Sequence, residues 1–264
     1  MKNTLTALAL AVFTAGIAQA QTAAGASASI TKTPVADLSV SGKFAWAGKN
    51  VYLGKQRSDE AGLIQSTVTV EGSVPGFAGV SAYVSYYNAD NFERSINIGG
   101  KTDWTNVGTA DFGVSRTNTA GQNAGAATLA LKGYTQADSG REVYVGVTAK
   151  AFALAPSAYL YYNTDLKQAN LVVSAQKTFE GKDLGVPGFE LETRAYLGLV
   201  DSKASRTDVA NSYVYFGASA DLVRQIGAGA KVGLGLSYAY NTDGQVVETA
   251  GSAVWLKAYA NFKF

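Results

Sequence analysis

Ser174-Ala175-Gln176-Lys177 has the S-x-x-K spacing of serine acyl enzymes, in which one helical turn brings the lysine amine onto the serine hydroxyl. Here the motif lies in a stretch of alternating residue types, and a strand sends residues three apart to opposite faces. The serine therefore has no base. "GAGAKVG", Gly227 to Gly233, matches a phosphate-binding loop only in glycine content. It lacks the G-x-G-x-x-G spacing and a following helix, and reads as a hairpin turn. The chain has no histidine and no cysteine, which removes imidazole acid–base catalysis, the commonest transition-metal ligand and disulfide bonding. Asp59, Glu60 and Asp90 are acids in loop-like surroundings, where a solvated carboxylate is the ordinary outcome. No enzyme activity, cofactor or metal is expected.

A second set of residues suits a different task. Lys43, Glu71, Tyr83, Lys132, Glu142, Tyr144, Lys150, Tyr159, Tyr161, Glu192, Arg194, Tyr196, Asp221, Lys231 and Lys257 each sit at a polar position within an alternating segment. Alternation sends such residues to one face and their apolar neighbours to the other. Collected from many strands, this row would line a common interior of mixed charge narrowed by tyrosines. Basic residues exceed acidic ones only slightly, so no strong ion preference follows. Glu192 and Arg194, two apart on one face, are expected to meet.

The elements that would position this row are strands. "LSVSGKFAW" from Leu38 alternates Leu38, Val40, Phe44 and Trp46 against Ser39, Ser41, Lys43 and Ala45. Similar segments recur at about 62–72, 78–88, 107–116, 125–135, 141–150, 154–162, 169–179, 189–200, 211–223, 231–240 and 252–264, an even count of about twelve. The stretch "NIGGKTDWTNVGTADFGVSRTNTAGQNAG" is too rich in Gly, Asn and Thr to fix the fourth strand's register. Apolar rows such as Val143, Val145 and Val147, or Leu191, Ala195, Leu197 and Leu199, read as a lipid-facing wall. Trp46, Tyr86, Tyr162, Tyr238 and Tyr240 would form one aromatic girdle and Phe262 and Phe264 the other.

The N-terminus has a charged Lys2, an apolar run from Leu5 to Ile17, and Ala18-Gln19-Ala20, the pattern of a cleaved secretory signal peptide. The expected organisation is a signal at 1–20, a periplasmic segment at 21–36 and a barrel at 37–264. No later run approaches the ~20 apolar residues of a spanning helix, so a membrane role falls to strands. The chain holds 22 Lys and Arg against 20 Asp and Glu. Losing Lys2 leaves it near neutral, which argues against a nucleic-acid partner. The expected fold is all-β, a transmembrane antiparallel up-and-down β-barrel of about twelve strands.

"AYANFKF" at Ala258 to Phe264 resembles the targeting strand of bacterial outer-membrane barrels, in which a final aromatic follows alternating apolar residues. Phe264, Phe262, Ala260, Ala258 and Leu256 carry the match. The body resembles an uncharacterised Gram-negative outer-membrane β-barrel family of roughly twelve strands. "NVYLGKQRSDEAGLIQSTVTVEG" is similar to its first hairpin, with a "YxFRG" element and a Pro-x-x-Gln strand start, and "LAPSAYLYYN" to its "NPSxxxYYD" strand. This sequence departs from those patterns at Leu53, at Gly62 in place of the proline, and at Asn163 in place of the aspartate. The resemblance implies a location in the bacterial outer membrane. It also implies contact with outer-membrane lipid and lipopolysaccharide, and an assembly signal at Phe262 and Phe264 read by the barrel assembly machinery. The oligomeric state stays open. Two roles suit such a barrel: a passive porin-like channel for small hydrophilic solutes, or a non-conducting structural or adhesive barrel acting through its outer loops.

Overall fold

A computed structural model describes residues 38–49, 51–52, 55–56, 62–89, 93–119, 140–202, 212–242 and 251–264. The leader at 1–20, the segment at 21–36, the strand expected near 125–135, Lys132 and the carboxylates Asp59, Glu60 and Asp90 lie outside the described residues.

Beside a short hairpin of Val51–Tyr52 and Lys55–Gln56, twelve strands build a barrel: β1 Leu38–Ala47, β2 Leu63–Ser73, β3 Val80–Ala89, β4 Glu93–Trp104, β5 Gly108–Thr119, β6 Gly140–Ala149, β7 Ser157–Asn163, β8 Gln168–Glu180, β9 Glu190–Ser202, β10 Ser212–Gly227, β11 Ala230–Asn241 and β12 Gly251–Lys263. Each pairs antiparallel with its sequence neighbour, and β12 pairs with β1, so the sheet closes. The closing seam runs from Ser41↔Lys263 to Ala47↔Lys257. The Val40 and Phe264 amides each donate to the other's carbonyl, at 3.1 and 2.8 Å. Closure leaves no open sheet edge, which is what lets strands stand in a medium that cannot hydrogen-bond to the backbone.

The alternation resolves into two faces. Phe44, Ile64, Val84, Ile98, Phe112, Val145, Leu160, Leu171, Leu197, Phe216, Leu234 and Leu256 are all exposed, one from each strand in turn. Their positions are even in every strand except β6, β8 and β9, and the intervening residues turn inward. Trp46, Tyr86 and Tyr162 are exposed toward the upper rim, taken as the rim opposite Leu38 and Phe264. Trp104, Phe262 and Phe264 are exposed at the lower rim, where Tyr and Trp belong if the wall meets two membrane interfaces. Tyr238 and Tyr240 are half-buried and pack tilted against Phe216, with ring centroids 6.2 and 5.3 Å away.

The sequence reading placed no strand at 93–104, and the structure corrects it: β4 occupies that span and pairs with both β3 and β5. β5 then pairs directly with β6, and the twelve strands close the wall among the described residues. The Gly99-Gly100 pair and outward Arg94 and Thr102 blunt the alternation in β4. The lower rim carries tight turns, as at Trp104–Gly108 and Gly227–Ala230. Longer links there are 74–79, 150–156 and the one holding the 3-10 turn Gly181–Leu184, ended by Gly185 at φ 76°. Gly62 has φ 100° and lies against the Trp46 indole. Proline, fixed near −65°, could not stand there, which accounts for that departure from the resembled family.

Candidate functional site

The inward faces enclose the lumen, and its most regular feature is a set of tyrosines lying over glycines. Tyr83↔Gly99, Tyr144↔Gly113, Tyr159↔Gly146, Tyr215↔Gly198, Tyr196↔Gly217 and Tyr259↔Gly233 are all direct cross-strand partners. In each pair a Cβ built on the glycine would run into the tyrosine ring or hydroxyl. Glycine here supplies a bed that any side chain would fill. Gly99 is also the partner of Gly113, so Tyr83 and Tyr144 reach toward each other over two glycines and their hydroxyls meet. Tyr83 Oη donates to Asp111 Oδ1 at 2.8 Å, and Tyr159 Oη donates to Asp111 Oδ2 at 3.4 Å. With Tyr83 so committed, Tyr144 is the donor in the tyrosine pair.

These beds make a testable claim. Gly198→Val is expected to cost about 1–3 kcal/mol, the usual range for overpacking. It pushes away Tyr215, which is 4% exposed and donates to Asn170 Oδ1 at 3.0 Å. Urea unfolding in vesicles measures the loss. The double variant Gly198→Val/Tyr215→Ala should lose less than the two single losses combined. Additive losses would show that the pair does not interlock.

Around the Tyr83–Asp111 hub lies a chamber of about 510 Å³, lined by inward residues from β2 through β9. Its walls are rich in hydroxyls, from Ser85, Ser115, Thr148 and Ser174 as well as the tyrosines, and its charges are Lys101, Asp111, Glu142 and Arg194. Lys101 is paired with Glu71 at 2.9 Å and lies 4.6 Å from the Tyr83 ring centre. Ser81 also donates to Glu71, at 2.7 Å. Tyr161 stacks on Tyr159 at 5.9 Å and lies tilted against Tyr144 at 5.8 Å. Beside the chamber, on β8 to β10, Val200, Tyr213 and Tyr215 form a small apolar cluster against Val172 and Tyr196.

The remaining residues of the expected row fall as follows. Lys43 lies over the Tyr259 ring at 4.6 Å. Lys257 pairs with Asp221 at 2.8 Å, over Gly235, which is the cross-strand partner of both. Lys231 pairs with Glu190 at 3.1 Å and Glu192 at 3.6 Å. Lys150 lies one residue past β6 in a turn, paired with Asp103 at 2.9 Å at the lower rim. The expected meeting of Glu192 and Arg194 is not what the structure shows. Arg194 donates to Ser174 Oγ at 3.4 Å and lies 6.0 Å from the Tyr196 ring centre. Residues two apart on a strand sit further from each other than from a cross-strand partner, and Glu192 instead reaches Lys231, two strands away on β11. Ser174 faces inward, where it bonds to Ser157 at 2.7 Å, while Lys177 faces outward over Phe179. The S-x-x-K pair is therefore split across the wall. Asp111 and Lys101 escaped the sequence reading. The signal for them was inward parity in the Gly-rich stretch.

No family model and no curated protein matches the chain. Solved structures similar to it include OccAB2 of Acinetobacter baumannii, 11% identical with a TM-score of 0.44, covering 89% of this chain and 66% of that one. They also include a KdgM porin, 8% identical with a TM-score of 0.46, covering 86% and 99% of the two chains. A NanC porin is 9% identical with a TM-score of 0.47, covering 86% of this chain and 100% of that one.

Proposed function

We propose that the protein is a porin-like barrel of the bacterial outer membrane that passes small hydrophilic solutes through its lumen. The observation that carries this is an inversion of the usual globular pattern: an exposed apolar row circles the outside, while charges, hydroxyls and a chamber of about 510 Å³ lie inside. An exposed apolar surface of that extent marks contact with lipid. Twelve strands fall between barrels filled by side chains and those with a wide aqueous channel, and the tyrosine-over-glycine beds keep the interior from filling. On this reading the stripe ending in Phe262 and Phe264 is what the assembly machinery engages.

Single-channel recording of the purified barrel in a planar bilayer tests the proposal. Discrete, reproducible steps are expected. Arg194→Glu changes the chamber by two charges and should move the reversal potential toward cation preference under a salt gradient. The shift should shrink at 1 M salt, where screening confines such fields to about 3 Å. Silence from barrels shown to be folded by heat-modifiable mobility would overturn the channel and leave the structural or adhesive role.

A further inference from the structure

Three arginines interrupt the outward row at one place. Arg94 on β4, Arg116 on β5 and Arg141 on β6 face outward near the upper ends of three successive strands, and all three are exposed. Arg116 and Arg141 are direct cross-strand partners. Arg94 is the partner of Asn118, two residues along β5 from Arg116, which makes the two arginines diagonal neighbours about 7 Å apart. Like charges opposite each other on a ladder are destabilising, so such a cluster calls for an anion.

The described residues supply only part of one. Among the described residues, Asp165 is the carboxylate bonded to the cluster. It accepts from Arg141 Nη2 at 2.8 Å, from Arg141 Nε at 3.3 and 3.4 Å, and from the Arg141 amide at 2.9 Å. The charge of Arg116 also reaches Asp165. Arg94 Nε donates to the neutral Asn88 Oδ1 at 3.2 Å. Two of the three positive charges thus remain without a bonded carboxylate among the described residues. Directly below stand the outward residues Tyr86, Val114, Val143 and Tyr162, all exposed.

This arrangement asks two things of its occupant. It must carry oxyanions for guanidinium groups, which bind phosphate bidentately, and an apolar body that lies along the wall beneath. Free phosphate meets the first demand only. We propose that Arg94, Arg116 and Arg141 form a docking site for the phosphate of an outer-leaflet glycolipid of the lipopolysaccharide class. The inference rests on the outer-membrane reading, which places this rim outward, but not on conduction.

The test uses the purified, delipidated full barrel in detergent, with native mass spectrometry to measure binding of diphosphorylated lipid A. Its dephosphorylated form and inorganic phosphate are run in parallel. The barrel should hold diphosphorylated lipid A about tenfold more tightly than the dephosphorylated form, and should retain no inorganic phosphate at matched concentration. Arg94→Gln/Arg116→Gln should bind diphosphorylated lipid A about tenfold more weakly, the consequence of losing ~1.4 kcal/mol of charge-assisted bonding. Heat-modifiable mobility of the variant confirms that it is folded, and Arg141 is left in place so that Asp165 keeps its partner. Equal binding of the two lipids, or of parent and variant, would overturn the site. Equal retention of inorganic phosphate would make it a free-anion site and overturn the lipid assignment. A barrel that fractionates away from the outer membrane would instead remove the reading beneath both proposals, whereas a silent barrel that binds lipid A would remove only the channel.

Discussion

Leu197→Arg should lower the stability of the barrel in lipid by about 2–4 kcal/mol, the cost of a charged side chain near the midplane of a lipid-facing wall. Leu197 lies in the middle of β9, faces outward and is 49% exposed, between partners Val173 on β8 and Phe216 on β10. In a soluble protein an exposed leucine accepts arginine at little cost. The size of the loss therefore reports the solvent around the wall. Asn97→Arg, inward on β4 and lining the chamber, is the matched control and should cost under about 1 kcal/mol, because lumen water can hydrate the new charge. Urea titration in vesicles followed by tryptophan fluorescence gives both values. Equal losses would mean that the two faces have been exchanged or that neither meets lipid.

Lys257→Met should destabilise by a comparable amount, about 3–5 kcal/mol, for a different reason. Asp221 is 8% exposed, and its Oδ2 takes the Lys257 ammonium at 2.8 Å and the Tyr259 hydroxyl at 3.5 Å. Its Oδ1 has no hydrogen-bond partner among the described residues. Removing the lysine strands a carboxylate in a poorly solvated place, which costs more than the intact pair contributes. The double variant Lys257→Met/Asp221→Asn should recover most of the loss, since the stranded carboxylate is gone. A single-variant loss under about 1 kcal/mol would show that water reaches Asp221 freely, and that this side of the lumen is as wet as the chamber.

The alternation was legible in the sequence because a wall in lipid must be apolar at every second position, and that demand acts on each strand separately. Leu191, Ala195, Leu197 and Leu199 reveal the facing of β9 without reference to any other strand. β4 was illegible for the same reason. Arg94 and Thr102 stand in its outward row and Gly99 and Gly100 at its centre, so neither face announces itself. What a strand cannot report alone is register against its neighbours, and the site depends on register. That Tyr83 lies over Gly99 follows from which residues stand opposite across the ladder, and that Glu192 turns to Lys231 instead of Arg194 follows from the registers of two successive ladders. The inward glycines were visible as interruptions in a polar row, but their meaning needed the tyrosine on the next strand. The lipid-side arginines were equally visible one by one. Only the β5–β6 pairing brings Arg116 and Arg141 together.

The glycine beds also fix how the bore can change over evolutionary time. A tyrosine standing upright from the wall would occupy cross-section that solute needs, whereas one lying over a neighbouring glycine adds little more than the thickness of a ring. The width at each such point is thus held by the residue that has no side chain. A single base change from glycine to alanine at Gly113 or Gly146 would tilt Tyr144 or Tyr159 inward and narrow the passage without altering its charge. The reverse change would reopen it. In the proposed channel, size cutoff and ion preference would therefore sit on different residues, glycines for the first and Lys101, Arg194, Glu142 and Asp111 for the second, and selection could adjust either one while leaving the other as it is.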